Sequence, residues 1–222
     1  MRNILKAAGI DPCPKRASAT WDEFVARHAT SLWQCDFFSQ KVLTITGIRE
    51  VFVLAFLHVE TRRVILSPAT LHPNEAWAAS QAATIVEQAR SQGLGMRYVQ
   101  RDRDGKYAGI DAALKQKRVK ALKRAVRTPN ARAFVERFIG TVRRECLNHF
   151  LFFGTQHLDS VLKTWLSFYH KHRPHQGKEN ELLTGNLRIT NSESAAIAET
   201  ISLSDIRCEQ QGLLKSYHRK AA

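Results

Sequence analysis

Three carboxylates in this chain stand where a charge is costly unless something offsets it. Asp36 lies in SLWQCDFFS (31–39), a strand-like stretch in which Leu32, Gln34, Asp36 and Phe38 share one face. An ionised carboxylate there must be paired or metal-bound to balance its desolvation. Asp102 directly follows the strand-like residues 96–101 and leads into the turn DRDGK. Strand ends are favoured ligand positions in open α/β sheets. Glu136 is the single acid between residues 112 and 144. Oxygen-only donors of this kind select Mg²⁺ or Mn²⁺, with waters and a substrate phosphate completing the octahedron. Two such ions about 3.5–4 Å apart activate an attacking water or hydroxyl and stabilise the leaving oxygen of an in-line displacement. Clustered carboxylates repel one another until cations arrive, so the metal-free site is expected to be loose and its acids to titrate as a coupled set.

Each acid also has a plainer reading. Asp36 can be a satisfied structural residue, and both Asp102 and Asp104 suit the turn DRDG. Glu136 can pair with Arg132 one helical turn earlier. The segment His170-Lys171-His172-Arg173-Pro174-His175 suggests a histidine metal site, or else a basic helix end followed by a turn.

The surrounding charge is uneven. The 222 residues hold 34 Lys and Arg against 20 Asp and Glu, a net charge of +14. Residues 1–75 carry 9 basic and 7 acidic side chains, and residues 151–222 also carry 9 and 7. Residues 76–150 carry 16 and 6. The densest run is Lys115, Lys117, Arg118, Lys120, Lys123, Arg124, Arg127, Arg132, Arg137, Arg143 and Arg144, with Glu136 inside it. These alternate with apolar residues in two different periods, so they belong to folded elements. A basic run so placed is the footprint expected of a nucleic-acid partner. At 44% hydrophobic and 24% charged, the composition is globular, not that of a disordered basic tail. The longest apolar run, VFVLAFLHV (51–59), has strand length and falls short of a bilayer span. MRNILKAAGIDPCPKR has no secretory signal pattern. Cys13, Cys35, Cys146 and Cys208 form no CxxC pair, which argues against zinc and disulfides and suits a reducing cytoplasm.

The elements that must position the acids follow from periodicity. Residues 1–20 read as a linker or arm, and Trp21–His28 as a short helix capped by Thr20. Strands are expected at 31–39, at 51–58 (a central strand covered on both sides) and at 62–67, forming an antiparallel meander. A helix follows from Pro73 to about Gln92, ended by Gly93 and Gly95, then a strand at 96–101. Residues 106–116 read as helix and 118–125 as strand. Pro129-Asn130 caps a long helix expected over 131–152, with Val135, Phe138, Ile139, Val142 and Cys146 as its core stripe. A last helix spans 156–172, stopped by Pro174, and the tail 184–222 reads as peripheral. The order β-β-β-α-β-α-β-α-α describes a mixed sheet with packed helices, an α/β fold.

Four segments follow one another along the chain: WQCDFF (33–38), RDRDGKY (101–107), TPNARAFVERFIGTVRRECLNHF (128–150) and YHKHRPHQG (169–177). In that order they resemble the catalytic core of bacterial insertion-sequence transposases related to retroviral integrases, the DDE superfamily. The resemblance runs from about residue 28 to 183 and into QGLLKSY (211–217). Asp102 and Glu136 stand 34 positions apart, close to the family spacing. The resemblance implies an RNase H-like mixed five-stranded sheet with helices on both faces, two Mg²⁺ or Mn²⁺ ions, and the triad Asp36, Asp102 and Glu136 as metal ligands and catalytic residues. An Asp five residues before an aromatic selects Asp102, with Tyr107 as that aromatic, and leaves Asp104 as runner-up. By resemblance Pro129-Asn130 and Arg137 belong to the motif that positions the glutamate helix, and Arg143 and Arg144 contact DNA. The expected DNA-binding set is Lys123, Arg124, Arg127, Asn130, Arg132, Arg137, Arg143, Arg144, His172 and Arg173. The His170–His175 segment then reads as the basic helix end.

The implied organisation is an arm (1–27), a core (28–183) and a C-terminal extension (184–222). The implied activity is DNA transposition or integration, in which the protein nicks an element's 3′ end and uses that hydroxyl to attack target DNA. The partners would be element ends and target DNA, with a homo-oligomer on the DNA, in the bacterial cytoplasm and at the nucleoid when bound. Full-length relatives carry an N-terminal helix-turn-helix region, so the chain is expected to be a truncated copy, a second reading frame or the product of an internal start. Two other readings share much of this pattern: a non-catalytic DNA-binding transposase fragment, and an RNase H-type nuclease acting on RNA–DNA hybrids.

Overall fold

The computed structural model describes residues 21–102, 108–123, 133–178, 180–183, 206–211 and 214–219. The strand that carries Asp36 is the longest. β1 (Leu32–Thr44) continues five residues beyond the expected stretch and turns into β2 (Gly47–His58), with Gly47 at φ 104°. The two pair antiparallel from Thr44↔Gly47 to Trp33↔His58. β3 (Val64–Leu66) pairs antiparallel with β2 and completes the meander. β4 (Tyr98–Arg101) joins the free edge of β1 in parallel, and β5 (Lys120–Lys123) joins β4 in parallel. The sheet order is β3-β2-β1-β4-β5. The apolar run 51–58 is an interior strand, but the middle of the sheet belongs to β1.

Alternation along β1 and β2 sends side chains into two separate cores, as period-2 geometry requires. Trp33, Cys35, Leu54 and Phe56 pack under α2 (Glu75–Ser91) and α3 (Ala108–Gln116). Phe38, Val42, Val53, Ala55 and Leu57 pack under α4 (Ala133–Glu145) and α5 (Gly154–Lys171). A short helix, α1 (Trp21–His28), precedes β1. The result is a mixed sheet with helices on both faces. Helix α2 starts where its chemistry says it should: the Asn74 side chain accepts a hydrogen bond from the Trp77 N–H at 2.8 Å. Gly109 is required by close approach, since a Cβ there would collide with the Glu75 carbonyl oxygen.

One expectation is corrected. The helix expected over 131–152 ends at Glu145, because Cys146 leaves helical geometry (φ −135°, ψ −69°). Leu147 then sits in a 3₁₀ turn, and the Phe152 carbonyl accepts the Leu43 N–H at 2.7 Å. Leu147 and Phe152 are both buried in one core. On a continuous helix they would point about 140° apart, so the chain must turn to bury both. The tail contains a two-stranded antiparallel sheet that its sequence did not announce, β6 (Ile206–Gln211) and β7 (Leu214–Arg219). IRCEQQ and LKSYHR are largely polar, so they give no apolar alternation to read. The strand expected at 118–125 is described over Lys120–Lys123, with Arg124 and Ala125 outside the described residues. Thr20, the expected cap of α1, also lies outside them. Among the described residues no helix is long and apolar enough to cross a membrane.

Candidate active site

The register of β1 against β4 sets Asp36, within β1, level with Asp102, just past the end of β4. The last paired residues are Gln34 and Gln100, and each aspartate lies two positions further along its own parallel strand. Neighbouring strands run about 4.7–4.9 Å apart, so two carboxylates leave the sheet side by side. Asp36 is half-buried, and its Oδ1 accepts the Phe37 N–H at 2.9 Å. Asp102 is half-buried at the C-terminal end of β4.

The third acid arrives through Gln34, which is wholly buried. Its Nε2 donates to Gln100 Oε1 at 3.1 Å, and its Oε1 accepts the Val135 N–H, also at 3.1 Å. Val135 is the third residue of α4, and a first-turn N–H has no partner within its own helix. One side chain thus ties β1, β4 and the start of α4 together. Glu136 follows Val135 immediately and is exposed. A second tether acts behind Asp102. Arg101, only 3% exposed, donates from Nη1 to the Asp102 carbonyl and from Nε to Asp111 Oδ1, each at 2.6 Å. Its Nη2 also pairs with Asp111 Oδ2, so α3 holds the strand end in place.

Sequence reasoning passed over Gln34, Gln100, Arg101 and Asp111. A signal was present: WQCD and VQRD repeat the pattern Q-x-D, an amide two residues before each aspartate in otherwise apolar strands. A buried amide must find partners, and two of them on adjacent strands find each other.

The expected DNA-binding residues scatter. Lys123, Arg137 and Arg144 are exposed. Arg143 lies two turns beyond Glu136, and its Nη2 donates to the Ser39 carbonyl at 3.2 Å. Arg173 grips Glu145 in a fork, with Nε···Oε2 at 2.9 Å and Nη2···Oε1 at 2.7 Å. The bond raises its pKa further. His172 is half-buried at the end of α5. Asp104, Tyr107, Arg124, Arg127, Pro129, Asn130 and Arg132 lie outside the described residues. Among the described residues no three His, Cys, Asp or Glu side chains stand close enough together to hold a metal ion.

In the His170–His175 segment, two rings serve the backbone. His170 Nε2 accepts the Val64 N–H at 3.1 Å, and burial lowers its pKa to about 4. The His175 Nε2 lies 3.0 Å from the Tyr169 carbonyl, and burial lowers that pKa too. Both therefore stay neutral at pH 7, one as an acceptor and the other as a donor to a carbonyl.

The chemistry of Asp36, Asp102 and Glu136 fits a hard divalent cation. All their donors are carboxylate oxygens, one within β1, one at the end of the adjacent β4 and one on a helix tied to β1. Residues 117–181, which include Glu136, match the family model of the integrase core domain. The fold extends the likeness across the sheet. The chain carries an integrase-type catalytic-core fold, RNase H-like in topology.

The simian T-cell lymphotropic virus intasome in complex with PP2A regulatory subunit B56 gamma is similar at a TM-score of 0.54 and 13% identity, over 72% of this chain. The chain spans 56% of that protein's length. The HTLV-2 integrase catalytic core domain in complex with magnesium, in its trimeric form, is similar at a TM-score of 0.50 and 11% identity. There the match covers 70% of this chain and 94% of the other. At such identities the shared property is the fold. No curated protein sequence matches the chain.

Proposed function

We propose that this integrase-type core cleaves and joins DNA strands, with Asp36, Asp102 and Glu136 as the carboxylates that hold divalent cations. The observation that supports it is the Gln34 tie, which links the two strands bearing the aspartates to the helix bearing the glutamate. Bound Mg²⁺ or Mn²⁺ would activate the attacking oxygen and offset charge on the leaving one. The protein's own part is to fix three carboxylates around the scissile phosphate and to hold the DNA backbone beside them. Arg143 shares the Glu136 side of α4 and stands on β1 near Asp36, suited to a phosphate next to the reacting one. Lys123 at the end of β5 extends the basic rim on the sheet side. Asp111, through Arg101, keeps the backbone at Asp102 from shifting when the carboxylate is loaded.

Two displacements use the same groups. Water first attacks a phosphodiester and releases a 3′ hydroxyl. That hydroxyl then attacks a second phosphodiester, forming one bond as another breaks. The outcome expected is nicking and strand joining on branched DNA with Mg²⁺ or Mn²⁺. Asp36→Asn, Asp102→Asn and Glu136→Gln should each abolish it, with DNA affinity kept. Retained activity in all three single variants would overturn the assignment. Magnesium binding followed by calorimetry separates this enzyme from a fragment that only coats DNA.

A further inference from the structure

A cavity of about 380 Å³ opens beside α4, on the side away from Glu136. Its cationic lining is Arg62, Arg137, Arg144 and Arg173, with Phe134, Tyr169 and the neutral His175 among its walls. The α4 positions that line it, from Phe134 to Arg144, centre about 135° around the helix from Glu136, at roughly 100° per residue. The two sites therefore share a helix but not a face.

Among the described residues no acid lines this cavity. Arg173 is held by Glu145, but among the described residues Arg62, Arg137 and Arg144 pair with no carboxylate. Arg62 is the most constrained. It sits in the turn between β2 and β3 with a left-handed φ of 61°, and its guanidinium lies 3.6 Å over the Phe134 ring. Its Nη1 is buried and, among the described residues, has no hydrogen-bond partner. Burial lowers its pKa, and repulsion from Arg137 adds to that. A charged donor left unsatisfied, in a strained backbone and among like charges, is a cost the fold carries for something that binds.

We propose that this cavity is a phosphate site, seating one backbone phosphate of a nucleic-acid strand that runs along α4 opposite the carboxylates. Guanidinium forks match the paired oxygens of a phosphate, and a tetrahedral anion supplies acceptors to several arginines at once. Arg62 Nη1 supplies the fixed donor, and Arg137 and Arg144 close from the solvent side. The proposed function bears only on the source of the phosphate; the anion site stands without it.

The test uses the whole chain with no divalent cation, so the fate of the strand-transfer reading leaves it untouched. Inorganic phosphate is titrated while the melting temperature is followed. Wild type should rise with phosphate, and Lys163→Gln, an exposed site on α5 outside the cavity, should rise equally. Arg62→Gln should lose most of the rise, yet melt no lower than wild type in its absence, because an orphaned charge has been removed. Arg137→Gln, at an exposed position, reads the same cavity if the first variant does not fold. In a second arm, duplex DNA should displace the phosphate. The salt dependence of DNA binding should also become shallower by about one phosphate contact, a slope change near 0.9, in Arg62→Gln. A full phosphate response in both arginine variants overturns the site. A phosphate response with an unchanged salt slope overturns the nucleic-acid source and leaves a free phosphate or nucleotide as the ligand.

Discussion

The two sides of the sheet differ in what they tolerate. On one side, α2 and α3 present Ala78, Ala82, Ile85, Val86, Ala89, Ile110, Ala113 and Leu114 to the strands, a smooth aliphatic seam. On the other, α4 and α5 pack aromatic rings in a chain: Phe138 against Tyr169 at 5.2 Å, Trp165 against Tyr169 at 5.1 Å and His175 against Tyr169 at 4.7 Å. That side also holds a buried Trp165 Nε1 and Arg62 Nη1 without partners among the described residues, and two neutral histidines. A sheet needs only one well-packed face to be stable. Buried polar atoms without partners among the described residues gather on the other face, where the proposed phosphate site lies. Asp36 and Asp102 stand on β1 and past the end of β4, Glu136 on α4, and the arginine cavity opens behind that same helix.

The strongest way to break this contrast is to cut the tie between the sheet and α4. Gln34→Leu leaves the Val135 N–H and the Gln100 amide without their partner. Each buried polar group so orphaned costs about 1–3 kcal/mol, so a loss of about 2–4 kcal/mol is expected in denaturant unfolding. If Gln34 positions the glutamate, strand-joining turnover should fall about 100-fold with DNA affinity unchanged, because a misplaced group of about 1 Å costs that much. Gln100→Leu should do less, since Gln34 keeps its bond to Val135. A Gln34→Leu protein with full turnover would reduce the tie to ordinary packing.

The layered sheet was legible because its signals are local. Alternation marked β1, continuous apolar residues marked β2 as interior, and Pro73 marked the start of α2. The end of α4 was not legible, because only the second core asks Leu147 and Phe152 to point the same way. The site was half legible. Asp36, Asp102 and Glu136 stood out as acids in apolar or basic surroundings. Gln34 did not, since an amide in a strand has no meaning until the strand across from it is known. The arginine cavity needed the fold as well: Arg62 and Arg173 are 111 positions apart, and only the packing of α4 and α5 brings them to one lining.

Acid should expose the difference between the layers at moderate scale. His170 and His175, on the α5 side, have pKa values lowered by burial, His170 to about 4. Each is neutral in the folded protein, while the unfolded chain takes up its proton near pH 6.5. Folded values below unfolded ones mean that stability is complete above about pH 6.5 and declines as pH falls toward 4. For His170 the expected loss by pH 4.5 is about 2 kcal/mol, measured by denaturant unfolding at each pH. His170→Gln keeps an acceptor for the Val64 N–H but cannot titrate, so it should flatten the pH profile. An unaltered profile would move the acid sensitivity away from the α5 side.

The smallest effect belongs to the exposed polar pairs of the aliphatic side, which, unlike the buried Arg101–Asp111 pair, lie over a finished core. Glu87 meets Arg90 at 3.3 Å and Lys117 at 2.8 Å, linking α2 to the turn after α3. The hydrogen bond from Lys117, and then its charge, hold the Glu87 carboxyl below its usual range. All three side chains are open to water, where ion pairs gain little over hydration and lose that little to salt. Glu87→Gln should therefore leave the melting temperature unresolved from wild type at physiological salt and at 1 M alike. Arg90 keeps its bond to the Lys117 carbonyl at 2.7 Å, so the helices stay joined without the acid. A clear destabilisation would mean that α2 and α3 depend on charge as the opposite side does, and the division of labour across the sheet would fail.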